Sequence, residues 1–227
     1  MINVAIDGPV GAGKSSVARE CARRLGFIYV DTGALYRSCA LFCIKNGITI
    51  SPDNESEIAE ALEKRLELKI DLIDGEQHVY VNGEDVNGEI RTIEISKAAS
   101  EISALPSVRK YLLDTQRSIA SNNNVIMDGR DIGTVILPNA DLKIFITAKP
   151  EVRAKRRYDE LIAKGESITL GEVLVDVNRR DFNDTHRKEA PLKQAEDAIL
   201  IDTTEIDFEE TVSGLTALIM SRFETLA

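Results

Sequence analysis

Residues 2–15, INVAIDGPVGAGKS, decide the reading of this chain. Ile2 to Ile6 is a short, β-branched apolar run cut off by Asp7-Gly8-Pro9, the pattern of a buried parallel strand that feeds a turn. Gly8 to Ser15 then matches G-x-x-x-x-G-K-[ST]. Beyond it Val17, Ala18, Cys21, Ala22 and Leu25 recur at three- and four-residue spacing, and Gly26 stands where a helix would close. Strand, glycine loop and helix therefore come in the order that phosphate binding needs. Glycines let successive backbone N–H groups turn inward around phosphate oxygens, and the helix start adds its positive end. Lys14 is expected to reach the β- and γ-phosphates and Ser15 to ligate Mg²⁺. Gly8, Pro9, Val10, Gly11, Ala12, Gly13 and Ser16 complete a nucleotide-phosphate-binding loop. GTPases, ATPases and small-molecule kinases share such a loop, so it speaks for phosphate binding without choosing the reaction.

Outward from the loop, strand and helix patterns alternate. A strand at Phe27 to Val30 ends in Asp31-Thr32-Gly33, and a helix from about Ala34 to Asn46 is closed by Gly47. Ser51-Pro52 is expected to open a helix carrying Ile58, Leu62 and Leu66, with the serine as cap. Between Leu66 and Val86 the period changes to two, and Asp74-Gly75 and Asn82-Gly83 bracket His78 to Val81. An antiparallel insert is expected there. Helices follow on Ile95, Ala98, Ala99 and Ile102 and from Pro106 through Val108, Leu112 and Ile119. Val125 to Met127 and Leu142 to Thr147 read as buried strands. Helices near 150–164, 169–181 and 208–225, with a strand at Ile199 to Ile201, finish the chain. Such alternation predicts an α/β fold: a parallel sheet with helices on both faces.

Lys and Arg number 28 against 38 Asp and Glu, a formal charge of −10, which argues against a protein that coats nucleic acid. Any anionic ligand has to be held by a local cluster of cations. The three cysteines form no CxxC, and His78 and His186 stand alone, so neither a disulfide framework nor a structural zinc site is expected. No signal peptide is read at the N-terminus and no run of eighteen apolar residues occurs, so the expected location is the cytoplasm, without a membrane partner.

The guanine-selecting [NT]-K-x-D tetrapeptide of GTPases does not occur. Instead, arginines stand at strand ends and in loops: Arg37 after Asp31-Thr32-Gly33, Arg130 in Asp128-Gly129-Arg130-Asp131, and Arg180 and Arg187 around Asp184. Guanidinium forks grip phosphate oxygens bidentately, and phosphoryl transfer is mostly positioning plus charge neutralisation. Strand C-termini in an open parallel sheet point to one crevice, so Asp7, Asp31, Asp128 and Thr147 are expected near one ligand. Plain structural readings compete. Asp31 can simply cap a helix, and Arg109 next to Lys110 can be a surface cation. Arg153, Lys155, Arg156 and Arg157 can form a solvated helix face, with Arg157 toward ATP phosphates as the other reading. Cys39 and Cys43 read as core filler, and His186 as an exposed loop residue.

At these residues the chain resembles the bacterial cytidylate kinases. The matching segments are IDGPVGAGKSS, DTGALYR, VNGEDVNGEIRT, AASEISALPSVR, DGRDIGTV and RRDFNDTHRKEAPL, spread over residues 6–192. The resemblance implies a P-loop NTPase core (about 1–31, 107–150 and 190–227). It also implies a monophosphate-binding region at 32–106, with a small antiparallel β insert at about 66–88, and a mobile helical lid at about 151–189. By motif position it places the acceptor phosphate on Thr32, Arg37 and Arg130. The pyrimidine edge falls to Ser100, Arg109, Asp131 and Arg187, and the sugar hydroxyls to Arg180 and Asp184. Lys14, Asp128, Arg130 and Arg180 are the expected catalytic set, with Arg157 on the ATP side. The implied reaction is transfer from ATP, with Mg²⁺, to CMP or dCMP by a monomeric cytoplasmic enzyme. UMP, dTMP or AMP as acceptor, a sugar-acid acceptor, and a slow nucleotide-binding regulator stay open as alternatives. Thr32 replaces a serine frequent in the family and keeps the hydroxyl; Asn183 stands where some members have another lid arginine.

Overall fold

The structure is a computed structural model that describes residues 1–73 and 76–226, less the side chains of Leu72, Glu76 and 223–226. The Asp74-Gly75 turn expected from sequence lies outside the described residues. Strands and helices alternate through a five-stranded parallel sheet with helices on both faces, and a second sheet of three strands is antiparallel. The chain divides into two compact units, Ile28–Val125 (with Met1) and Ile2–Phe27 with Ile126–Ala227.

The second unit holds the phosphate-loop sequence. Strands β1 (Asn3–Asp7), β6 (Val125–Gly129), β7 (Leu142–Thr147) and β8 (Ile199–Asp202) stand in the order β6-β1-β7-β8. Asp7 sits opposite Phe145 and Thr147 opposite Asp202, all in parallel register. Val4, Ala5 and Ile6 are fully buried, as a central parallel strand requires. Helix α1 (Lys14–Leu25) leaves the loop and ends in Gly26, whose left-handed φ of 68° lets its N–H return to the Ala22 carbonyl. Cys21 faces Val212 of α8 (Phe208–Leu226), a helix packed along α1. Helices α6 (Pro150–Ala163) and α7 (Leu170–His186) pair through Ala154, Leu161, Val173 and Val177, with Val10 of the loop against the same cluster. Thr169 and Glu172 close a reciprocal capping box at the start of α7. That helix runs five residues past the expected end. His186 is therefore not a loop residue but its last turn, stacked at 4.1 Å on Phe182 one turn earlier.

The first unit is built around β2 (Ile28–Asp31), α2 (Thr32–Lys45), α3 (Glu55–Arg65), α4 (Ile93–Ile102) and α5 (Pro106–Asn122). Leu35, Cys39, Phe42, Ile58, Leu62, Ile90, Ile102 and Leu112 form its buried core, with Cys39 and Cys43 as filler whose thiols burial keeps protonated. Ser51 does not cap: a 3₁₀ turn at Pro52–Asn54 comes before α3, and Ser51 makes no side-chain bond to it. The period-two insert is an antiparallel meander, β3 (Leu68–Ile73), β4 (Glu76–Val81) and β5 (Glu84–Asp85). Asn82 and Gly83, with φ of 51° and 85°, make the two-residue turn that Asn-Gly predicts.

Candidate active site

Asp7 ends β1, and the chain turns immediately through the glycine loop. Gly8 has φ 147°, and a Cβ there would lie 1.9 Å from the Ile146 carbonyl oxygen, so no other residue fits that passage beside β7. Gly11 and Gly13 also sit at positive φ, which lets the loop curl before α1. Lys14, the first helical residue, is buried and folds back so that Nζ donates to the Pro9 carbonyl at 2.7 Å. Ser15 Oγ donates to Asp128 Oδ2 at 2.8 Å, which brings the loop hydroxyl to the end of β6. The carboxylate of Asp7 accepts from the backbone N–H groups of Ile132 and Gly133 at 2.7 and 2.8 Å. Burial nevertheless raises its pKa to about 6.

Two further pairs join residues that are far apart in sequence. Arg130 Nε donates to Asp184 Oδ2 at 2.7 Å, and Arg187 meets the buried Asp131 at 3.4 Å while its Nε donates to the Ala190 carbonyl. Arg180 of α7 stands 2.8 Å from Asp176 of its own helix in an ion pair whose N–H direction misses the oxygen. Arg157 of α6 pairs with Glu160. Same-sign charges crowd here. Burial, then the nearby Arg130, lowers the Lys14 pKa to about 7, and burial together with Arg157 and Arg130 pulls Arg180 below the usual arginine range. Lys14, Arg130, Arg157 and Arg180 thus oppose one another's charge within a molecule of net charge −10.

In the first unit two of the three residues expected at the acceptor phosphate, Thr32 and Arg37, stand in the first turns of α2, while Arg130 belongs to the second unit. Asp31 caps that helix by accepting from Ala34 N–H at 2.9 Å and also takes Arg37 Nη2 at 2.7 Å, so capping and ion pairing coexist. Burial acts to raise its pKa, but Arg37, the Ala34 N–H and Arg91 outweigh that and hold the carboxyl below its usual range. A Cβ on Gly33 would come 3.0 Å from Arg37 Nη1, so the glycine leaves that guanidinium room beside Thr32. Arg37 Nε is buried with no partner. Arg109 is no plain surface cation: Nη1 donates to the Ser103 carbonyl, and its guanidinium lies 5.6 Å over the Tyr36 ring. Ser100 lies on α4, three residues before the C-cap Ser103, whose Oγ donates to the Ser100 carbonyl at 3.0 Å.

Two functional-looking residues escaped the sequence reading. Gln77, buried in β4, accepts from the Asp31 N–H at 2.8 Å and donates to the Asp31 carbonyl at 3.3 Å, tying the insert to the acceptor turn. Its place in a period-two strand carried no signal of this contact with the Asp31 backbone. Arg153 was read with its neighbours as part of a solvated face, yet it is 3% exposed and holds Asp181 of α7. Arg157 stands one turn further along the same face, so spacing does not tell the two apart, and only the packing of α6 on the loop and α7 shows Arg153 to be the buried one.

A buried parallel sheet, a glycine loop at its strand end and a lysine-serine helix start define a P-loop nucleotide-binding protein. The family model described as cytidylate kinase matches residues 4–221. A cytidylate kinase of Carboxydothermus hydrogenoformans is 46% identical over 99% of this chain and 100% of its own length. One from Caldicellulosiruptor bescii is 48% identical over 96% of this chain and 95% of its own. Among solved structures, an uncharacterized protein from Eubacterium ventriosum shares the fold at TM-score 0.50 and 13% identity, covering 99% of this chain and 98% of that one. The chain belongs to the cytidylate kinase family.

Proposed function

We propose that this protein transfers the γ-phosphoryl group of ATP to CMP or dCMP, giving ADP and CDP or dCDP. The observation that carries the reading is the buried Lys14 at the start of the helix that leaves the glycine loop, with the partly buried Arg130, Arg157 and Arg180 adding opposed positive charge, an arrangement that a polyphosphate relieves. In this reading Gly8 to Ser16 hold the ATP phosphates, Lys14 bridges β and γ, and Arg157 and Arg180 neutralise charge that develops during transfer. Ser15 Oγ and Asp128 Oδ2 are hard oxygen donors 2.8 Å apart, the kind of pair that suits Mg²⁺. Bound there, the ion would supply further neutralisation of the β- and γ-oxygens.

Thr32, Arg37 and Arg130 are assigned to the acceptor phosphate, which is already a dianion near neutral pH and needs no general base. Asp128 then serves through charge and metal contact, not by taking a proton. Asp131, with Arg187, Arg109 and Ser100, is assigned to the cytosine edge: a carboxylate accepts from the exocyclic amine, whereas a uracil carbonyl leaves it unpaired. Arg180 and Asp184 are assigned to the sugar. Residues 151–189 act as the lid and exclude water from the transfer, 32–106 as the monophosphate-binding region, and 1–31, 107–150 and 190–227 as the core.

The enzyme works as a cytoplasmic monomer on small nucleotides, without nucleic acid or membrane. The net charge of −10 argues against a nucleic-acid partner. No described helix is long and apolar enough to cross a membrane. The test is ADP release against a panel of CMP, dCMP, UMP, dTMP, AMP and a sugar acid. CMP and dCMP are expected to give the highest kcat/KM with one CDP or dCDP formed per ADP. A preference for another acceptor, or ADP release independent of any acceptor, overturns it.

A further inference from the structure

Arg153 is a buried charge that the reading above leaves unused. It stands on α6 with 3% exposure and makes four directed bonds to three separate segments. Nε donates to the Ala148 carbonyl beyond β7 at 2.7 Å, and Nη1 to the Val10 carbonyl of the glycine loop at 3.0 Å. Nη1 and Nη2 also grip the two carboxylate oxygens of Asp181 on α7 at 3.0 and 2.6 Å. A cation this deep is tolerated only with such partners, and only a planar fork reaches all three at once.

The Val10 contact bears on the loop. Across a trans peptide the carbonyl and the following N–H point in opposite directions, so a Val10 oxygen held toward Arg153 turns the Gly11 N–H away from it. Arg153 also backs the loop closely: a Cβ on Gly11 would lie 3.0 Å from the Arg153 carbonyl oxygen and 3.2 Å from its Cβ. Asp181 is next in sequence to Arg180, whose guanidinium crowds the same cations.

We infer that Arg153 is a positioning residue: it locks the Val10–Gly11 peptide with its N–H facing the phosphates and ties that loop to the helix that carries Arg180 and Asp184. The inference rests on the glycine loop holding the ATP phosphates. It predicts that the guanidinium fork sets affinity for bare polyphosphate without touching it.

The experiment is calorimetric binding of inorganic tripolyphosphate and of ADP to the full chain, well below its melting temperature, with kinetics in parallel. Arg153→Lys keeps the charge and loses the fork; tripolyphosphate and ADP are both expected to bind about tenfold more weakly, with KM for CMP unchanged. Tripolyphosphate affinity within twofold of the wild type overturns the inference, as does weakening of ADP alone, which would place the arginine on the nucleoside. Asp181→Asn keeps the shape and removes one partner. About threefold weaker tripolyphosphate binding is expected of it, so an unchanged value overturns the inference even if Arg153→Lys fails to fold. Lys14→Ala separates the premise from the inference: if it binds tripolyphosphate normally, the loop reading fails first.

Discussion

The two units hold their charges in different ways. In the second unit the cations are paired in advance, Arg130 with Asp184, Arg187 with Asp131 and Arg153 with Asp181, while burial and then the nearby Arg130 lower the Lys14 pKa to about 7. In the first unit Asp31 sits among cations that hold it ionised, and Arg37 keeps a buried Nε with no partner. An unmade bond on a buried donor costs about 1–3 kcal/mol, which a ligand oxygen can return. Both units thus keep an unfilled guanidinium bond, at Arg37 Nε and at Arg180 Nε, and the second unit adds repulsion between neighbouring cations such as Lys14 and Arg130. Repulsion is long-ranged and unspecific in shape; an unfilled bond is short-ranged and selective.

That comparison breaks most visibly at Lys14. Lys14→Ala removes the buried ammonium, and kcat for CMP is expected to fall by about a thousandfold or more; a rate near normal in coupled ADP detection would refute the donor-side account. At Arg37 the effect should be confined to the other substrate. Arg37→Gln is expected to raise KM for CMP by about ten- to a hundredfold with KM for ATP little changed, and equal rises in both would show that the two units do not divide the work as assigned. Smaller again, Asp131→Ala should narrow the CMP-to-UMP ratio of kcat/KM by about tenfold, and an unchanged ratio would remove Asp131 from base reading.

The smallest effect sharpens the electrostatic half of the contrast. A polyphosphate should return Lys14 toward its ordinary pKa, so binding above pH 7 takes up a proton, and ADP affinity is expected to drop about fivefold from pH 7 to 8. Without ligand the sign reverses. The fold disfavours protonated Lys14 while the unfolded chain keeps the proton up to about pH 10.5, so this residue's contribution to stability rises with pH from about 7. Calorimetry of wild type against Lys14→Met at several pH values checks both, and parallel pH curves for the two proteins would contradict the shift.

Much of the donor side was legible from residues alone. A phosphate loop is contiguous, because neighbouring backbone N–H groups must surround one anion, and its glycines announce the strained turns, as Gly8 shows against Ile146. The insert was legible for a similar reason, since a period-two strand pair and an Asn82-Gly83 turn are local. Ser51 misled because its serine-proline signal fits a 3₁₀ turn as well as an α-helix start. Arg153 misled because one helical charge run can hold both a solvated Lys155 and a buried guanidinium.

What the sequence by itself determined is the glycine loop, the alternation of strand and helix, and the candidates for anion binding, all properties of neighbouring residues and their periodicity. Tertiary structure alone decided which charges face each other: that Ser15 meets Asp128, that Arg130 meets Asp184, that Gln77 clasps Asp31 and that Arg153 lies behind the loop. Those pairings depend on burial and on the meeting of segments tens of residues apart, and Coulomb forces and hydrogen bonds gain their strength only once packing has excluded water.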